Sequence, residues 1–155
     1  HDNISFYFIT TFWCVCPIDN IAPFTIQGSI QNVKTDFLRH AYPLVQPLLK
    51  IDTLRLASLE DIAAMKLNAI SVSGQRMKDF IDLYFLLGLM SLEKMLEAYH
   101  KKYSHSNKLI PLKAVTYFAD LNTDQPFPKM SQSVKWKDIE KRLKKAVEKP
   151  YQIFG

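Results

Sequence analysis

Apolar positions change their period midway along the chain. Phe24 to Gly28 and Val33 to Leu38 alternate apolar and polar residues as half-buried strands do, and Gly28 to Asn32 between them reads as a hairpin turn. Tyr42 to Lys50 is a Pro-containing connection. From Ser58 the spacing becomes helical: Leu59, Ile62, Ala63, Ala69 and Ile70 fall on one stripe. Ser58 followed by Asp61 reads as a variant capping box, and Gly74 separates this helix from a second, whose run Phe80 to Leu87 is apolar nearly all round, as in a buried helix. Ser91 starts a third helix running to about Tyr103. Lys108 to about Phe118 is a fourth, with Pro111 in its first turn, and Asn122 to Pro128 is a loop. Lys135 to Lys149 closes the chain with the stripe Trp136, Ile139, Leu143 and Val147. The pattern predicts an α+β chain: a short antiparallel β region over residues 1–50, then a helical bundle over residues 51–155, together one compact unit.

Ile4 to Cys16, rich in aromatic and β-branched residues, is too short to span a bilayer and lacks the basic leader of a secretory signal, so a buried strand is expected there. The chain starts at His1 without a Met, which suggests a longer reading frame. With 155 residues and 48% hydrophobic content it can bury a substantial core, and it carries no internal repeat. Cys14 and Cys16, one residue apart in the apolar run, fit neither a zinc knuckle nor a thioredoxin pair and read as packing residues in a reducing, cytoplasmic compartment. The four histidines are scattered and form no metal pattern.

Against this background, Lys66 stands out. It falls inside the apolar stripe of the first helix, four residues from both Ile62 and Ile70, and a buried ammonium requires an anionic partner. Asp79 and Asp82, three apart at the start of the second helix, share a face and can supply one. Acids there also lie at the positive end of the helix dipole, where a phosphate or metal is readily organised. The plain structural reading is that Asp79 caps its helix, Asp82 pairs with Lys66 and Arg76 is a solvated loop residue. Lys66 is therefore expected within salt-bridge reach of Asp79 or Asp82.

The segments Leu54 to Ile70 and Arg76 to Leu87, with Lys66 and Lys78-Asp79-Phe80-Ile81-Asp82 at their centres, resemble the last two motifs of the AbiEii/AbiGii-type toxins, bacterial nucleotidyltransferase-like proteins. Val33 to Leu38 with Tyr42-Pro43-Leu44 is similar to the strand carrying that family's later carboxylate. Thr116 to Asp120, Pro126 to Met130 and Trp136 follow its helical tail. The resemblance covers roughly Phe24 to Val147. It implies transfer of a nucleotide from a nucleoside triphosphate to an acceptor such as RNA, with Mg²⁺ screening the phosphates. Asp36 would be the strand carboxylate at the metal, Lys66 would contact the triphosphate, Asp79 would be the catalytic acid, and Asp82 with Arg76 would position the others. Lys66, Arg76 and Lys78 would bind the nucleotide. A cognate antitoxin is the implied protein partner.

One departure from the family pattern matters more than the matches. Nucleotidyltransferases open their catalytic centre with a Gly-Gly or Gly-Ser turn followed by an Asp-x-Asp or Asp-x-Glu pair on a strand, because two carboxylates hold Mg²⁺ against a triphosphate. Here Gly28-Ser29 is followed only by Asp36, with Leu38 two residues on. The chain thus looks like the carboxyl-terminal part of such a protein and is expected to transfer no nucleotide alone. The alternative is a non-catalytic binding or interaction module, a truncated or degenerate relative that could bind RNA. The net charge of +5 fits either. Much of the excess lies in the last helix, at Lys135, Lys137, Lys141, Arg142, Lys144, Lys145 and Lys149, which reads first as a basic solvated face and second as a phosphate-tracking surface. Lys101 and Lys102 form a weaker second cluster.

Overall fold

A computed structural model describes residues 18–122, 124, 126–128 and 130–155. The apolar run Ile4 to Cys16, expected as a strand, lies outside them. Antiparallel strands followed by helices make the chain α+β. The described residues fall into two compact units divided between Ala41 and Tyr42.

The first unit is a three-stranded antiparallel meander in the order β1 (Ile18–Ala22), β2 (Thr25–Ile30), β3 (Val33–Leu38). The turn between β2 and β3 is Gln31-Asn32, with φ of 50° and 63°, rather than the longer Gly28 to Asn32. Two consecutive left-handed residues match the natural twist of paired strands, so the ladder continues to Ile30 opposite Val33 and Gly28 lies within β2, opposite Thr35. β1 carries Asp19-Asn20, residues with poor strand propensity, and is held by its pairing with β2.

The second unit opens with a small hairpin, β4 (Leu49–Ile51) and β5 (Leu54–Leu56), which turns at Asp52 with φ of 51°. It continues as α1 (Leu59–Val72), α2 (Met77–Leu86), α3 (Leu92–Lys102), α4 (Leu109–Ala114) and α5 (Trp136–Glu148). Ser58 caps α1 by accepting the Asp61 N–H, and Ser91 caps α3 by accepting from Lys94. α1 ends where Gly74 takes φ of +63°. α4 is shorter than the sequence suggests: beyond Ala114 the chain tightens into turns through the β-branched Val115-Thr116, with Tyr117 N–H donating to Ala114 C=O.

The buried face of α1 is Ala63, Ala64, Leu67 and Ile70. This is rotated from the expected stripe, because Leu59 is exposed and Ile62 only half-buried. α3 decides the rotation, since the small Ala63 and Ala64 admit it closely while Leu92, Met95, Leu96 and Tyr99 fill the space beside it. Lys66 consequently sits at the margin of the buried face. α2 is buried through Phe80, Ile81, Leu83 and Leu86 and takes α5 against it through Ile139, Leu143 and Ala146, with Trp136 and Val147 half-buried on the flank. Each fully buried Leu, Ile or Phe contributes about 1.5–3 kcal/mol. Phe80, Phe118 and Trp136 meet edge to face with centroids 5.5 to 6.1 Å apart, joining α2 to α5.

Candidate functional site

The tight turn at Gly74 folds α2 back beside α1 and brings together residues thirteen and more positions apart. Lys66 Nζ lies 2.9 Å from Asp79 Oδ1 and 2.6 Å from Asp82 Oδ2, so the expected pairing is present with both acids. Arg76 Nε stands 3.7 Å from the other oxygen of Asp79. The exposures differ in a way that separates the roles: Asp79 is 4% exposed, Lys66 27% and Asp82 44%. Asp79 is an internal anchor, whereas Asp82 meets solvent. Burial by itself lowers the Lys66 pKa, but hydrogen bonds to Asp82 and Asp79 and their charges outweigh it and raise it above the ordinary 10.5. Lys66 is therefore charged throughout the physiological range. It uses two of its three N–H donors on these carboxylates.

Two depressions flank this cluster along α2. Arg76, Met77 and Lys78 face Pro126 and Pro128 across a cavity of about 200 Å³. Further along, Ile81, Asp82 and Phe85 face Met130, Ser131 and Gln132 across a cleft of about 440 Å³. Lys66, Arg76, Asp79 and Asp82 thus form one group, with Lys78 beside it. Asp36 lies on β3 of the first unit, exposed and opposite Gln27.

A second ion pair was not legible as such in the sequence. Lys102 Nζ donates to Asp61 Oδ1 at 2.7 Å, both side chains being about 1% exposed, and to the Pro43 carbonyl at 2.9 Å. Asp61 also accepts from the Val45 and Gln46 N–H groups and the Ser58 hydroxyl. The capping reading of Asp61 is correct but incomplete, and Lys102 is a buried partner rather than part of a basic surface cluster. The available signal was its spacing, since Met95, Tyr99 and Lys102 fall on one buried face of α3. Burial pushes the Tyr103 hydroxyl up, with Tyr42, Tyr99 and Asp61 adding to it, to about 12.

Among the described residues no group of three or more His, Cys, Asp and Glu side chains is placed to hold a metal ion. Asp79 and Asp82 are engaged by Lys66, and Asp36 has no second acid on its strand, so these residues do not fit a Mg²⁺ site of the kind a triphosphate requires.

Short antiparallel strands followed by a helix hairpin that sets one lysine against two carboxylates define an α+β protein. The family model described as nucleotidyl transferase AbiEii toxin, type IV TA system, matches residues 23–152, and the chain belongs to this family. No curated protein and no solved structure matches it. Among the described residues no helix is long and apolar enough to cross a membrane.

Proposed function

We propose that the α1–α2 hairpin is the nucleotide-engaging element of a nucleotidyltransferase-like toxin, and that this chain binds a nucleoside triphosphate without transferring the nucleotide on its own. The observation that carries the reading is Lys66, a half-buried ammonium fixed in direction by Asp79 and Asp82 with one donor remaining for a ligand oxygen. Arg76 and Lys78 line the adjoining cavity of about 200 Å³ and supply the further positive charge that a polyphosphate needs. Membership of a toxin–antitoxin family supports a nucleotide substrate and a cognate antitoxin as partners.

In transfer, the acceptor's hydroxyl oxygen would form a bond to the α-phosphorus while the bond to the β-phosphate's bridging oxygen breaks and pyrophosphate leaves. Asp82, the exposed carboxylate, is the group that would take the hydroxyl proton, and the buried Asp79 holds Lys66 in place. The missing part is a carboxylate set for metal, and for that reason transfer is not expected from this chain.

The test is nucleotide binding by calorimetry with each of the common ribonucleoside triphosphates, together with label incorporation into bulk RNA. Wild type should bind, Lys66→Met should weaken binding about tenfold or more, and no label should be incorporated. Incorporation that disappears in Asp36→Ala and Lys66→Ala would overturn the second half of the reading; binding indifferent to Lys66 would overturn the first.

A further inference from the structure

The β4–β5 hairpin sorts its side chains by kind as well as by face. Leu49 stands opposite Leu56 and Ile51 opposite Leu54, so these four share one face, while Lys50 stands opposite Arg55 on the other. Both faces are open: the four apolar residues are 42 to 62% exposed, and both cations are exposed. Among the described residues the hairpin has no third strand, and neither Lys50 nor Arg55 has an acidic partner. Two cations directly opposite each other destabilise a strand pair, and two strands alone are marginal in water. Ile51 and Leu54 pair across a two-residue turn, so the alternation of an antiparallel ladder turns the N–H and C=O groups of Lys50 and Arg55 outward to the two free edges.

The hairpin is nonetheless fixed at its base. On the entering side, the Val45 and Gln46 N–H groups donate to the buried Asp61 carboxylate, and Lys101 Nζ donates to the Val45 carbonyl at 2.7 Å. On the leaving side, the Ser58 hydroxyl donates to the same carboxylate at 2.8 Å. Asp61 thus ties both ends of the hairpin to α1. An edge held in this way gives up little freedom on accepting another strand.

We propose that the hairpin edge is a docking surface for an extended segment of another protein, one that alternates apolar and acidic residues and adds as a third strand. Its apolar side chains would extend the leucine and isoleucine row, its acids would meet Lys50 and Arg55, and its backbone would bond to their outward N–H and C=O groups. Charge selects this occupant. A second copy set edge to edge with the apolar rows on one face would bring cation against cation, the means by which edge strands are kept from pairing with themselves. A phosphate-bearing ligand would match the two cations and leave four apolar side chains in water. The surface is small, so binding is expected to be weak and reversible. None of these residues belongs to the Lys66 group, and the interaction is independent of the nucleotide reading.

The experiment uses the full chain and two short fluorescein-labelled peptides, one alternating valine with glutamate and the other valine with lysine, in anisotropy titrations. The glutamate peptide should bind about tenfold or more tightly than the lysine peptide, and Lys50→Glu with Arg55→Glu should reverse that preference. The reversal itself shows that the variant folds. Ile51→Ser with Leu54→Ser should weaken the glutamate peptide about tenfold and leave the urea unfolding midpoint near that of wild type. A preference that survives the charge reversal, or no binding of the glutamate peptide, overturns the proposal. So does a dimer in sedimentation that Ile51→Ser with Leu54→Ser disperses, which would assign the face to a second copy. Attachment to phosphatidylglycerol vesicles by a chain that binds neither peptide would overturn it in favour of a lipid contact.

Discussion

Lys102 Nζ and Asp61 Oδ1 meet at 2.7 Å with both side chains about 1% exposed, and neither charge has access to water. Such a pair is tolerable only because the surrounding polar groups are complete: the carboxylate accepts from two backbone N–H groups and a hydroxyl, and the ammonium also reaches the Pro43 carbonyl. The consequence is mechanical, since the pair pins the connection at Pro43 to Gln46 against the α1–α3 packing on which the Lys66 hairpin rests.

Removing one partner should cost more than removing both. Lys102→Met leaves a buried, uncompensated carboxylate and is expected to destabilise the fold by about 3–5 kcal/mol, whereas Lys102→Met with Asp61→Leu should recover part of that loss. Urea unfolding of the two variants compares them directly. A single variant as stable as wild type would mean the pair is not dry.

The same pair sets the acid limb of stability. Burial alone raises the Asp61 pKa, but the bonds from Lys102, the Val45 N–H, Ser58 and the Gln46 N–H outweigh it and bring it from 3.8 to about 2. A carboxyl lowered on folding stabilises above its unfolded pKa, and that contribution disappears as pH falls from about 4 through about 2. It amounts to on the order of 2 kcal/mol. Unfolding free energies measured from pH 6 down to pH 2 should fall across this window, and Asp61→Asn should flatten the limb.

The two partners of Lys66 should prove unequal. Asp79→Asn exposes a half-buried ammonium to the loss of its internal anchor and is expected to cost about 2–3 kcal/mol; Asp82→Asn, at a position 44% exposed, should cost less than about 1 kcal/mol. Because the Lys66 pKa is raised on folding, its contribution is fully present below 10.5 and is lost only as pH rises through the higher folded value. Stability measured at pH 7 to 9 should therefore show no change attributable to Lys66. A decline there that Lys66→Met abolishes would contradict the assignment.

Gly74 carries the turn of the hairpin at φ of +63°, and a Cβ at that position would meet the Ile70 carbonyl at an ordinary 3.5 Å. The cost of Gly74→Ala is therefore conformational rather than steric, about 1–2 kcal/mol, and a melting temperature lower by several degrees is expected. Gly74→Asn should lose less, since asparagine tolerates the left-handed region.

Phe80 is fully buried between Phe118 and Trp136. Phe80→Ala should cost about 3–5 kcal/mol and shift Trp136 fluorescence, with Phe80→Leu milder on both counts. If Phe80→Ala left both stability and emission unchanged, the aromatic bridge between α2 and α5 would not be a structural element.

Where local chemistry decided the outcome, the chain could be read directly. Ser58 and Ser91 as caps, Gly74 as a stop and the apolar run of α2 each depend on a few neighbouring residues, and each is found where the spacing put it. The Lys66 to Asp79 and Asp82 pairing was also accessible, because a lysine inside an apparent apolar stripe and two acids one turn apart across a glycine leave few other partners. The Gly28 turn and the β4–β5 hairpin were misread or missed. Hairpin register is fixed by pairing along a whole ladder, and Leu-Lys-Ile and Leu-Arg-Leu are too short to signal strands alone.

By itself the sequence determined the change from strands to helices and the order of the five helices, the caps and stops, and the ion pair across the α1–α2 hairpin, all set by interactions between residues near in sequence or unusual in character. Only the tertiary structure decided which face of α1 is buried, that Asp61 and Lys102 meet from 41 residues apart, that Asp79 is sealed while Asp82 is open, and that Pro126, Pro128 and Met130 to Val134 lie beside α2. Those outcomes depend on packing between elements whose separation in sequence carries no information about their distance in space.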